Sequence, residues 1–141
     1  MYYQFGSPQR KFAASFVSHL APQVGVRESR RIIGRHRLTR DDVLGGRRSD
    51  DAVARAAWPI ELWRAGATGA QYQYLADGDW YDVPLRCLQP TGVARLLAAG
   101  RCISGTSEAL GSARVIGTCL ATGEAAGHEA ARIAATRNAA S

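Results

Sequence analysis

The regular spacing of hydrophobic residues near the start of the chain predicts a helix. Phe12, Phe16 and Leu20 recur every four residues and would form one apolar face. Ser7 can cap such a helix, and Pro8 suits its first position because that position needs no backbone N–H donor. The helix is expected to end just before the next proline, since the residue that precedes a proline disfavours helical backbone angles.

Three further helices are predicted from end signals and periodicity. Thr39 and Asp42 have the spacing of a capping box, which predicts a short helix over Arg40–Leu44. Acidic residues at the start of residues 50–57 favour a second short helix there. The longest helix is expected over residues 118–136, after a loop rich in Gly, Ser and Thr.

Extended structure is expected between these helices. Residues 24–40 mix β-branched residues with six arginines and are expected to form a strand pair or one bent strand. Residues 71–75 and 80–85 flank a turn and are expected to form a β-hairpin, with Pro84 placing its second arm at a sheet edge. Residues 96–100 are expected to form a short buried strand.

Chain length and cysteine spacing bear on the number of domains, the location of the protein and the presence of a metal site. A chain of 141 residues favours one domain, and no apolar run approaches the roughly 20 residues that span a bilayer. The N-terminus lacks the pattern of a signal peptide, so a cytoplasmic location is expected, although a fragment would have lost any leader. Cys87, Cys102 and Cys119 have no C-x-x-C spacing, which favours buried thiols over zinc or iron–sulfur sites. No metal site is expected.

The net charge of +6 is carried almost entirely by arginine, with seventeen Arg against one Lys. A basic chain suggests an acidic partner, either nucleic acid or a phosphorylated cofactor. Many of the arginines lie in residues 27–40, but acidic residues interrupt them and aromatic residues do not alternate with them. Nucleic acid is therefore the less favoured partner.

A glycine-rich helix start is the most informative segment. Residues 111–127 read GSARVIGTCLATGEAAG. Glycine costs a helix interior about 1 kcal/mol relative to alanine, so Gly117, Gly123 and Gly127 need a reason. Either the helix packs very closely against a neighbour, or its N-terminus, with its unpaired N–H groups, approaches a phosphate or a ring carbonyl. Spacing alone slightly favours close packing.

Four segments, in this order, resemble FAD-dependent oxidoreductases over nearly the whole chain. They are VGVRESRRIIG (24–34), WPIELW (58–63), YDVPLRCLQP (81–90) and LLAAGRCISGTSEALGSARVIGTCLATGEAAG (96–127). More narrowly, the chain looks like the group related to heterodisulfide reductase flavoprotein subunits.

The resemblance implies an α/β (mixed α+β) fold with two parts. Residues 1–90 would belong to a β-rich substrate-side region that carries the first helix, strands and hairpin. Residues 91–137 would be the C-terminal strand–loop–helix of a Rossmann-like FAD-binding domain, and residues 138–141 a frayed tail.

The resemblance also implies a flavin site. Gly100 and Arg101 would border the ribityl and pyrophosphate groups of FAD. The backbone N–H groups of Gly117 and Thr118 would bond the N1 and C2-carbonyl region of the flavin, where a helix N-terminus stabilises the negative charge of the reduced ring. Arg114 would face flavin and substrate.

On the substrate side, Glu61 is a candidate titrating group, and Arg27 or Arg30 is a candidate for contacting an anionic substrate. The chain departs from the family pattern at two places. Arg101 stands where many related flavoproteins have an acidic residue that binds ribityl or ribose hydroxyls, so it would instead pair with pyrophosphate. Trp63 stands where some relatives have a histidine, so a histidine base is not expected.

The G-x-G-x-x-G fingerprint that cradles the FAD pyrophosphate is absent from the sequence. The chain is therefore interpreted as the C-terminal third of an enzyme that transfers hydride between a small organic substrate and FAD. Its partner would be the missing N-terminal FAD-binding segment. Some relatives carry iron–sulfur clusters, which the cysteine spacing here does not support. The alternatives are a basic nucleic-acid-binding module over residues 27–48 and an inactive fragment.

Overall fold

The computed structural model describes residues 16–23, 25–63 and 66–138. Short elements come first in the chain and the two longer helices come last. They are α1 (Arg40–Leu44), β1 (Ala52–Ala56), β2 (Ile60–Leu62), β3 (Gln71–Gln73), β4 (Tyr81–Pro84), α2 (Ser107–Ala113) and α3 (Ile116–Asn138). Single 3-10 turns lie at Leu85–Cys87 and Gly100–Cys102.

The strands form two small antiparallel sheets, β1 with β4 and β2 with β3. In the first sheet Ala54 lies opposite Val83 and Ala56 opposite Tyr81, and all four residues of β4 are buried. Helices together with small sheets confirm a chain of mixed α and β structure. The Rossmann-like assignment and the division at residue 90 stay predictions.

One hydrophobic core joins the sheets to α1 and α2, and Tyr81 is its largest buried side chain. The Tyr81 hydroxyl lies 2.7 Å from Ser112 Oγ, and Ser112 donates its own proton to the Trp58 carbonyl at 2.5 Å. Tyr81 is therefore the donor to Ser112. Burial raises the pKa of Tyr81 to about 12, against the opposing hydrogen bond to Ser112, so the ring stays neutral.

The helix predicted over Arg40–Leu44 is confirmed as α1, with the same bounds. The Asp42 backbone N–H donates to Thr39 Oγ1 at 3.2 Å, and the Thr39 backbone N–H donates to the Asp42 carboxylate at 2.9 Å. These two bonds are the reciprocal capping box that the sequence indicated.

The helix predicted over residues 50–57 is wrong, because the segment forms strand β1. Ala54 and Ala56 are buried while Arg55 between them is exposed, which is the period-two pattern of a strand. Residues 24–40 form no strand among those described and contribute only single bridges at Gly34 and Leu38.

The predicted hairpin has its strands in the right places but the wrong pairing. Residues 71–73 and 81–84 are strands, yet β3 pairs with β2 and β4 pairs with β1. Residues 16–20 are not helical, and the rest of the predicted N-terminal helix, up to residue 15, lies outside the described residues. Membership of a sheet depends here on contacts between distant segments, which local alternation does not encode.

The C-terminal part also differs from expectation. Residues 96–100 form no strand, and the expected loop contains α2, whose first turn is capped by Thr106 through a 3.2 Å bond from Ala109 N. Helix α3 begins at Ile116, two residues before its predicted start, and continues to Asn138. Most of the predicted frayed tail, residues 139–141, lies outside the described residues. No helix in the described ranges combines the length and hydropathy needed to cross a membrane.

Candidate functional site

An open cleft of about 720 Å³ lies at the N-terminal end of α3. This volume is within the range of sites that bind small molecules and cofactors. Arginines, one glutamate and apolar side chains of the first α3 turns form its walls. The lining residues are Arg27, Glu61, Arg101, Arg114, Val115, Ile116, Cys119 and Leu120.

The first turn of α3 has no side-chain cap from the residue that precedes it. The first backbone bond of the helix runs from Cys119 N to Val115 O at 2.9 Å, which makes Val115 the N-cap residue. Valine has no side-chain oxygen and cannot accept from the N–H groups of the first turn. That turn contains Gly117, which is exposed, and Thr118, whose side chain is buried.

Gly117 leaves open space beside this turn. A Cβ placed there would meet none of the described atoms within 4 Å. No described side chain would therefore block a ligand that approaches the turn on the Gly117 side.

Gly123 and Gly127 also have open space where a Cβ would be. The expectation that these two glycines serve close packing is therefore wrong for the described part of the chain. Both positions face outward, so no neighbouring atom requires a glycine there.

Gly111, in α2, does allow close packing between two elements. A Cβ at Gly111 would lie 2.9 Å from the backbone oxygen of Glu61 and 3.3 Å from its nitrogen, so α2 packs directly on the main chain of β2. Arg114 follows α2 at once, and its guanidinium NH2 donates to the Glu61 carbonyl at 3.3 Å. Sequence reasoning missed Gly111, because only the folded chain brings residue 61 to it.

The Glu61 carboxylate forms an ion pair with Arg27, the second arginine of the cleft. Arg27 NH1 lies 3.3 Å from Glu61 Oε1, and the same oxygen accepts from Trp63 Nε1 at 2.5 Å. The Arg27 guanidinium also lies 5.7 Å from the centre of the Trp63 ring. One carboxylate and one indole ring therefore contact the Arg27 guanidinium.

Gly100 and Arg101 belong to the 3-10 turn at Gly100–Cys102, which packs against α3. Gly100 has a left-handed backbone (φ 68°), which favours glycine, and its N–H donates to Thr122 Oγ1 in α3 at 3.1 Å. Arg101 donates to the Val26 carbonyl. Burial raises the pKa of Cys119, with the nearby Arg101 charge opposing, so this thiol is protonated near neutral pH.

These cleft residues lie in a chain whose full length matches one family. The family model described as FAD dependent oxidoreductase matches residues 2–141. The chain belongs to the FAD-dependent oxidoreductase family. No curated protein and no solved structure matched the chain.

The family implies FAD, and the start of α3 has two features that could hold a flavin ring. These features are the open space at Gly117 and a helix N-terminus whose N-cap residue has no side-chain oxygen. The predicted residues Arg27, Glu61, Arg101 and Arg114 all line the cleft. No group of three or more His, Cys, Asp or Glu side chains in the described ranges is arranged to hold a metal ion.

Arg30 lies outside this cleft. It lines a neighbouring opening of about 360 Å³ that shares Arg27 and Arg101 with the cleft. Of the two arginines proposed on the substrate side, only Arg27 therefore reaches the start of α3.

The arginines near α1 and β4 differ from those of the cleft, because each forms an ion pair with a different aspartate. Arg47 pairs with Asp42 at 2.7 Å, and Arg48 pairs with Asp79 at 2.6 Å. Arg86 pairs with Asp51 at 3.0 Å. Partial burial opposes ionisation of Asp51, but hydrogen bonds from Arg86 and Ser49 outweigh it and lower the pKa of Asp51 to about 2.

Proposed function

We propose that this chain forms the flavin-ring side of an enzyme that transfers hydride between a small organic substrate and FAD. The observation that carries the proposal is the start of α3, where the N-cap residue is Val115 and Gly117 leaves the first turn open. That turn borders a cleft with three arginines. The family match supports FAD as the cofactor.

In this proposal the N–H groups of Gly117 and Thr118 hold the pyrimidine end of the flavin. FAD, when bound, supplies a ring that accepts or gives a hydride. The positive end of α3 favours the negative charge that the reduced ring carries. Arg114, at the cleft wall, adds a full positive charge on the same side.

Gly100 and Arg101 are proposed to border the ribityl and pyrophosphate groups. The guanidinium of Arg101 can pair with phosphate oxygens, in place of the acidic residue that binds hydroxyls in many related flavoproteins. The kinship with heterodisulfide reductase flavoprotein subunits is part of the same proposal, since the match itself is at the level of the whole family.

We also propose that this chain supplies only part of the FAD-binding site. Its sequence has no G-x-G-x-x-G fingerprint, and the described strands form antiparallel pairs rather than a parallel βαβ unit. The pyrophosphate would then depend on a segment from elsewhere. The chain by itself is expected to bind FAD weakly and to be inactive.

The test compares three flavins that share one ring. Purified chain is titrated with riboflavin, FMN and FAD, following flavin fluorescence and absorbance at about 450 nm. Because the chain lacks the Gly-rich pyrophosphate cradle and offers only Arg101 to the phosphates, all three should bind weakly, FMN and FAD at most several-fold more tightly than riboflavin, and ADP should not displace riboflavin. Tight stoichiometric FAD binding would contradict the proposal of a partial site. Failure of every flavin to bind would contradict the proposal that the chain holds the ring.

A further inference from the structure

We infer that the cleft takes a substrate bearing a carboxylate, and that Glu61 is the positioning residue that holds Arg27 and Arg114 toward it. The inference names the substrate class of the proposed function and rests on that function. It gives Glu61 a different role from the titrating group expected from the sequence.

The charge balance of the cleft favours an anion. The lining contains three arginines, Arg27, Arg101 and Arg114, and one carboxylate, that of Glu61, so it carries a net charge of +2. A planar guanidinium matches a carboxylate or phosphate with two parallel hydrogen bonds.

The apolar part of the lining favours an organic anion. Ile116 and Leu120 are 78% and 70% exposed and lie on the same cleft as the arginines. A short carbon skeleton could cover these side chains while its charged end reaches the guanidinium groups. Inorganic phosphate offers no such apolar surface.

Glu61 is the residue to which both arginines are tied. Its carboxylate faces Arg27 at 3.3 Å, and its backbone carbonyl accepts from Arg114, also at 3.3 Å. Trp63 donates a hydrogen bond to the carboxylate, and Gly111 allows α2 to pack directly on the Glu61 main chain. The Glu61 side chain is 15% exposed whereas that of Arg27 is 52% exposed, so the less exposed carboxylate is the anchor of this ion pair.

The same guanidinium chemistry would suit the pyrophosphate of FAD, so the experiment must separate the two sources. Succinate is the probe for a carboxylate, succinamide is its uncharged counterpart, and inorganic pyrophosphate stands for the cofactor's phosphates. Binding to the purified chain is followed by ¹H–¹⁵N NMR, with the arginine Nε–H signals as reporters. The titration is run with and without riboflavin.

Variants then test the arginines. R114Q and R27Q should each weaken succinate binding about tenfold, the usual effect of losing one charge-assisted hydrogen bond. R114K keeps the charge but not the planar fork and should restore the affinity only in part. R37Q changes an exposed arginine that does not line the cleft and should leave the affinity unchanged.

Variants at Glu61 and Trp63 test positioning. E61Q removes a negative charge from the cleft, so simple electrostatics would tighten succinate binding, whereas loss of positioning should weaken it several-fold. W63F changes no charge and should weaken binding about two- to threefold while broadening the Arg27 Nε–H signal. Thermal unfolding of each variant shows whether its fold is intact.

The outcomes separate this inference from the proposed function. Succinate binding that succinamide lacks, weakened by E61Q, supports the inference whether or not riboflavin binds. No succinate binding under either condition overturns it, even if riboflavin binds. Pyrophosphate that binds with the same arginine shifts while succinate does not also overturns it, and assigns the cleft to the cofactor.

Discussion

Helices α1 and α3 differ in whether a side chain caps the backbone N–H groups of the first turn. Each helix begins with backbone N–H groups that have no partner within the helix. At α1 the Thr39 side chain accepts one of them, and Asp42 bonds back to the Thr39 backbone. At α3 the N-cap residue is Val115, which can accept none.

The arginines around the two helices follow the same division. Near α1, Arg47, Arg48 and Arg86 each face a different aspartate. At the cleft, Arg27 contacts the Glu61 carboxylate, whereas Arg114 and Arg101 bond the backbone carbonyls of Glu61 and Val26. The first region caps its helix start and pairs these arginines with aspartates, whereas the start of α3 has no side-chain cap from Val115 and its cleft carries an excess of positive charge. We take that excess to be the part of the molecule that a ligand completes.

The largest effect is expected from G111A, which would break the contact that ties the cleft to the core. Its Cβ would lie 2.9 Å from the Glu61 oxygen, so α2 must move away from β2. We expect the free energy of unfolding to fall by about 2–3 kcal/mol, as in other overpacked cores. Urea denaturation measures it. G123A adds the same methyl group in open space, so an equal loss in both variants would contradict the assignment.

A smaller effect is expected for the Arg86–Asp51 pair. The pKa of Asp51 is lowered from 3.8 to about 2 in the folded chain, so its contribution to stability is full above pH 4 and is lost as the pH falls through 2. D51N should therefore cost on the order of 1 kcal/mol at pH 7, after allowance for solvent screening, and almost nothing near pH 2. Urea denaturation across this pH range measures the difference, and a pH-independent difference would rule out the ion pair as its cause.

Removing the cap of α1 and adding a cap to α3 tests the comparison between the two helices. T39A removes a cap and should cost about 1 kcal/mol without changing flavin affinity. V115T adds a hydroxyl at the open helix start and should stabilise the chain by about 0.5 kcal/mol. The same hydroxyl would compete for the N–H groups proposed to hold the flavin, so riboflavin affinity should fall. Thermal unfolding and riboflavin titration report the two effects, and unchanged riboflavin binding in V115T would contradict the assignment.

Local signals predicted local features well. The capping box at Thr39 and Asp42 gave α1 with its bounds, and the long C-terminal helix was placed within two residues at each end. The pairing of β4 was not predictable, because β4 pairs with the distant β1 rather than with its neighbour in the chain, β3, which pairs with β2. The arginine-rich residues 24–40 gave no local sign that they would form single bridges rather than strands.

Most of the charged residues selected as a site lie together in the structure, but their roles stay predictions. Family resemblance selected Arg27, Glu61, Arg101 and Arg114, which line one cleft. It gave no indication of Gly111, because a glycine needed for a contact 50 residues away looks like any other glycine in a helix. Which glycines face open space depends on packing between elements, and that information lies outside any single segment.

The most direct test of the central claim compares G117A with G123A. Both glycines lie in α3 with open space where the methyl group would be, so both variants should be more stable by about 0.5 kcal/mol. Only G117A puts a methyl group where a flavin ring would approach the first turn. Riboflavin affinity, measured by fluorescence quenching, should fall about tenfold in G117A and stay unchanged in G123A. Equal riboflavin affinity in the two variants would contradict the claim that the start of α3 is the ligand-binding end of this molecule.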